Sequence, residues 1–179
     1  MRAAGVERAV LVGHSMGVPV IRQFYREFPG KVTGLVMVDG SYPRAPLSRA
    51  ELDARQELYT EANYRATAAR LLETVFTSDT SAALRTEIRE KMLSTPVHVA
   101  LSAFREIPDP ANAAVQPVNV PVLYVHAMAK QDPDQESFLR QIMPRLRFEY
   151  WKGGSHFFMM DQPGRFNRTL LEFLDHQGL

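Results

Sequence analysis

The chain has 179 residues, of which 45% are hydrophobic and 23% charged, the composition of one soluble globular domain with a core of its own. Lys and Arg number 21 against 20 Asp and Glu, leaving +1 with no basic cluster, which argues against nucleic acid or an anionic membrane surface as a partner. There is no cysteine, no apolar run of membrane-spanning length and no signal-peptide pattern in Met1–Val12, so disulfides, thiol chemistry and Cys-ligated zinc are excluded and a cytoplasmic location is expected.

In chain order, Arg2 to Arg8 reads as the end of a helix, stopped at Gly5, and a short lead into a strand. Val10 to Val12 form a β-branched apolar run, Ser15 is bracketed by Gly13 and Gly17, and Val20, Phe24 and Phe28 then recur at helical spacing. Pro29-Gly30 punctuates, and Thr33 to Val38 reads as a strand buried on both faces that ends in Asp39-Gly40. A helix between two such strands implies a parallel crossover.

Residues 41 to 119 turn helical, rich in Ala, Arg and Glu. Ser48 to Glu51 is a capping box ahead of a helical run carried on to Leu71-Leu72; a second helix is predicted from Ser81 to Leu93, and a third from Pro96, capped by Thr95, to Phe104. Pro108, Pro110 and Pro117 mark an extended return. Val120 to His126 is the third strand, Asp134 to Met143 a helix, Arg147 to Tyr150 the fourth strand, and Pro163 to His176 an amphipathic helix.

Strand, tight turn and helix with serine at the apex fit a nucleophile elbow, G-x-S-x-G. The serine stands at a helix N-terminus, where unpaired N–H groups face a developing negative charge, and the amide of Met16 is the natural oxyanion donor. Gly13-His14-Ser15-Met16-Gly17 resembles the elbow of the α/β-hydrolase superfamily.

The resemblance implies an α/β fold class: a partial hydrolase fold with a mostly parallel sheet of about four strands, flanking helices and a helical cap. Residues 1–41 and 120–179 would form the hydrolase core and 42–119 the cap. It covers nearly all of this chain and the C-terminal two-thirds of a usual family domain. The first four strands, and the loop that supplies the second oxyanion amide, are expected to be missing.

A serine hydroxyl needs an adjacent base, itself oriented by a third group. The family order is Ser, acid, His, which points to His156; Lys152 to Asn167 resembles the family's GxGH segment and the helix start after it. His14, beside the nucleophile, is expected at the substrate pocket. His98 lies in the cap, His176 near the end, and His126 ends a strand as the reserve. The acid divides: Asp39, at a strand's carboxyl end, is preferred over Asp132 and then Asp134 in the family's commonest location, Asp134 having a ready role as a helix N-cap.

These residues predict a serine hydrolase that cleaves small carboxylic esters without metal or other cofactor. The alternative is a catalytically impaired domain acting as a binding module. With its flanking strand absent, the elbow strand would present a bare edge, which predicts self-association.

Overall fold

The computed structural model describes residues 1–45, 47–106, 115–127 and 132–179. Four strands, β1 (Ala9–His14), β2 (Val32–Val38), β3 (Val122–His126) and β4 (Leu146–Tyr150), form one parallel sheet in sequence order. Parallel neighbours are reached only by crossing a face of the sheet. The helix α1 (Gly17–Glu27) makes that crossing between β1 and β2.

Helices α2 (Arg49–Leu58), α3 (Tyr64–Thr74), α4 (Ala82–Leu93) and α5 (Val97–Glu106) are inserted between β2 and β3. Then α6 (Pro133–Ile142) leads to β4, and α7 (Phe158–Asp161) and α8 (Pro163–Gln177) close the chain.

Side chains alternate across the sheet, so each strand feeds two cores. Leu35, Met37, Val122 and Tyr124 face Val18, Ile21 and Tyr25 of α1 and Leu139 of α6. Val36, Val38, Leu123 and Val125 face the other way, toward Trp151, Phe158 and the Phe166 and Phe173 stripe of α8. Burial on both faces is why β2 reads as a continuous apolar run; each such side chain contributes about 1.5–3 kcal/mol by leaving water.

The insertion departs from its expected form. Instead of one run from Ser48 to Leu72, the chain breaks between α2 and α3, because Thr60 N–H donates to Asn63 Oδ1 at 2.9 Å and Asn63 N–H to Thr60 Oγ1 at 3.3 Å. These side chains satisfy locally the backbone groups that a continuous helix would have paired. The ends hold: Ser48 and Glu51 form the capping box of α2, and Ser81 Oγ accepts from Leu84 N–H at the start of α4. The third helix begins at Val97 because the Pro96 carbonyl accepts from Val99 and Ala100. Pro108 and Pro110 lie outside the described residues.

At the other side of the sheet β1 has no described neighbour beyond β2. Val12 is 54% exposed, and Met16 and Val20 on the following turn and helix are exposed with it. Among the described residues no helix is long and apolar enough to cross a membrane.

Candidate active site

All three strand ends nearest the elbow converge at the carboxyl edge of the sheet, where open parallel sheets bind ligands. The elbow is built by close backbone approach. A Cβ on Gly13 would lie 2.4 Å from the Gly17 carbonyl oxygen, so only glycine fits there, whereas a Cβ on Gly17 meets nothing within 4 Å. A third glycine, unremarked in the motif, does comparable work: a Cβ on Gly40 would come within 2.6 Å of the Ser15 carbonyl oxygen and 2.3 Å of Val18 Cγ2.

Ser15 and Asp39 are the two non-glycine residues with positive φ among the described residues, at 53° and 42°. Each such conformation costs of order 1–3 kcal/mol and persists only where its surroundings over-determine it. Here the sheet ladder does so. Ser15 N–H donates to the Val38 carbonyl and Asp39 N–H to the Val125 carbonyl, both at 2.9 Å, carrying the pairing of β1, β2 and β3 one residue beyond each strand. Met16 follows as the N-cap of α1, which places its amide among the helix's first donors.

The Asp39 side chain is only 1% exposed, and its carboxylate is met from the end of β3 and from the loop after β4. His156 Nδ1 lies 2.7 Å from Oδ2, while the Ala127 amide donates to Oδ1 at 2.7 Å. His126 Nδ1 also approaches Oδ1, at 3.0 Å, but off the direction of a hydrogen bond. A carboxylate accepts and does not donate, so the His156 contact puts a proton on Nδ1 and leaves Nε2 as the basic nitrogen.

Asp132 stands elsewhere. Its Oδ1 accepts from the Asp134 and Gln135 amides as the N-cap of α6, and its Oδ2 pairs with Arg44 at 3.3 Å, about half exposed. The cap predicted at Asp134 is therefore carried two residues earlier. Pro133 at the first helical position explains this, since it needs no N–H partner and its fixed φ suits the helix start.

The insertion holds the His156 segment. His156 N–H donates to the Val75 carbonyl at 2.9 Å, just past the end of α3, and Phe157 packs with Leu72, Phe76 and Ile88. Asp161 Oδ2 takes hydrogen bonds from Thr80 Oγ1 at 3.2 Å and from Ser155 Oγ. The short helix α7 that carries this aspartate was not legible in the sequence. His98 and His176 lie exposed, away from these contacts.

His14 Nε2 lies 2.8 Å from the His156 carbonyl oxygen, to which it donates, and the two rings are 4.5 Å apart. Burial, and then the neighbouring His156, hold the His14 imidazole below its ordinary value of 6.5. The unfolded chain therefore takes up a proton near pH 6.5 that the folded chain refuses, so His14 contributes less stability as pH falls below 6.5. Thermal midpoints of wild type should drop more steeply than those of His14→Gln from pH 6.5 to about pH 5. Parallel slopes would show that His14 is not the group responsible.

The larger of two described cavities, about 360 Å³, lies at the opposite edge of the sheet between the start of β4 and the end of α8, and is lined by Arg145, Arg147 and His176 among others. It includes none of the residues at the carboxyl edge. Among the described residues no group of three His, Asp or Glu side chains is placed to hold a metal ion.

Solved structures share this architecture. A thermophilic esterase from Thermogutta terrifontis matches with a TM-score of 0.83 at 20% identity, covering 98% of this chain and 68% of its own. An esterase from a Rhodococcus species matches with a TM-score of 0.73 at 20% identity, covering 97% and 68%. An N-acyl homoserine lactone degrading enzyme matches with a TM-score of 0.71 at 21% identity, covering 96% and 70%. No curated protein matches the sequence. A family model described as the alpha/beta hydrolase family matches residues 2–169, and with the parallel sheet and the serine turn already in place, the chain belongs to that family.

Proposed function

We propose that the protein is a serine hydrolase acting on carboxylic esters through an acyl-enzyme. The observation that carries this reading is the buried Asp39 carboxylate 2.7 Å from His156 Nδ1, at the same sheet edge as the strained Ser15. In this reading Ser15 Oγ attacks the ester carbonyl carbon while His156 Nε2 takes its proton. The Met16 amide stabilises the oxyanion, and collapse expels the alcohol, which leaves with the proton from His156. Water then repeats the sequence on the acyl-enzyme, releasing the acid and restoring the Ser15 hydroxyl. Asp39 holds the imidazole in its tautomer and stabilises the imidazolium.

The helices α2–α5 act as a cap in this proposal, since their contacts reach the segment that bears His156. In this reading the cap restricts the site to small or medium acyl and alcohol groups. Esters are preferred to other acyl substrates because two of the similar structures are esterases, and the lactone-degrading neighbour makes lactones the next class to try. Fold alone does not fix a substrate.

Labelling with a fluorophosphonate probe tests the proposal, alongside turnover of a graded series of nitrophenyl esters. Stoichiometric labelling of wild type is expected. A folded protein that neither labels nor turns over any ester would favour the impaired, ligand-binding alternative.

We also propose that the open edge of β1 pairs with the same edge of a second copy, since its N–H and C=O groups lack a sheet neighbour among the described residues. Light scattering should show concentration-dependent association that Val12→Lys weakens. A monomer at every concentration would reject this.

A further inference from the structure

The mechanism above uses one imidazole, yet two face the same buried carboxylate. Asp39 Oδ2 meets His156 Nδ1 at 2.7 Å and Oδ1 lies 3.0 Å from His126 Nδ1, from the end of β4's loop and the end of β3 respectively. His126 Nδ1 is itself buried and has no hydrogen-bond partner among the described residues. The contact lies off the direction of a hydrogen bond, so what couples the ring to a carboxylate nearly removed from water is charge at low local dielectric. An imidazolium there would be attracted to the carboxylate by charge.

We propose that His126 is a positioning residue that shares the Asp39 carboxylate with His156. Resting on the hydrolase reading, this gives His126 a defined task. The Ala127 amide holds Oδ1 and the His126 ring stands 3.0 Å from the same oxygen, which leaves Oδ2 facing His156. It also divides one negative charge between two imidazoles. Positive charge on either ring would weaken the hold of Asp39 on the other.

Among the described residues, Asp39 is the charged group in contact with His126. The Tyr124 ring meets it edge-on with centroids 5.7 Å apart, and the Tyr124 hydroxyl donates to the Gly40 carbonyl. Burial raises the pKa of that hydroxyl, so it stays neutral. Tyr150 is its register neighbour on β4 and Trp151 N–H donates to its carbonyl at 2.8 Å, while His14 lies against the His156 ring and also feels the Asp39 charge directly.

The test is an NMR titration of the imidazole resonances in the free protein, which needs no turnover and so separates this proposal from the ester reading. In His126→Phe the midpoint of His156 should rise, in His156→Phe that of His126 should rise, and the larger movement should be about one unit. Asp39→Asn should lower both. Midpoints of His126 and His156 that each ignore loss of the other would overturn the proposal.

Where esters are turned over, His126→Gln adds a kinetic readout. The glutamine amide does not titrate, so the acid limb of kcat/KM should change shape relative to wild type. An acid limb identical to wild type, with a lowered plateau, would reduce His126 to packing and likewise overturn the proposal.

Discussion

Asp39→Asn should lower kcat for an activated ester by about ten-thousandfold, while Asp132→Asn should leave it within about twofold. The asymmetry follows from where the two carboxylates are held. Asp39 is buried against His156 Nδ1, and an asparagine there can present an N–H in place of a lone pair, which favours the imidazole tautomer with the wrong nitrogen protonated. It also removes the charge that would stabilise the imidazolium.

Asp132 instead spends its oxygens on the first amides of α6 and on an exposed Arg44. Asparagine is nearly as good an N-cap, and an exposed ion pair contributes about 0–1 kcal/mol, so little stability should be lost with Asp132→Asn. Steady-state kinetics and thermal melts on the two variants decide the matter. Equal losses of kcat, or a loss confined to Asp132→Asn, would move the acid away from Asp39.

Ser15→Ala carries the other large expected effect: fluorophosphonate labelling should vanish and kcat should fall by about a millionfold, the scale seen when a triad serine is removed. Donors around the oxyanion would still leave a residual rate above water. The folded state should survive, because Ser15 is held by its backbone: N–H to the Val38 carbonyl, carbonyl to Val18 N–H at 3.0 Å, and Gly40 packed against it. A Ser15→Ala protein that melts like wild type yet keeps its esterase rate would end the nucleophile assignment. Asp39→Asn should retain labelling at a reduced rate, which separates loss of orientation from loss of the nucleophile.

What the sequence determined by itself was local. The apolar runs before Ser15 and Asp39 specified strands, because a strand buried on both faces tolerates nothing else, and β1 and β2 stand where they were expected. Ser48 and Ser81 marked helix starts, since a capping side chain acts on amides two or three residues away. The elbow was legible for the same reason: its glycines, serine and helix start are neighbours in the chain.

Tertiary structure decided what depends on contacts between distant residues. Asp39 and Asp132 were two acidic residues near strand ends until the sheet brought Asp39 to His156, 117 positions away, and left Asp132 as a helix cap. No periodicity encodes which of two carboxylates meets an imidazole carried by another loop. The need for glycine at position 40, the hold of the α3–α4 turn on the His156 backbone, and the approach of His126 to Asp39 are likewise set by side chains and backbone meeting across the fold. Local pattern fixed the elements and the serine turn; the parallel order of the sheet gathered serine, carboxylate and imidazoles at one edge.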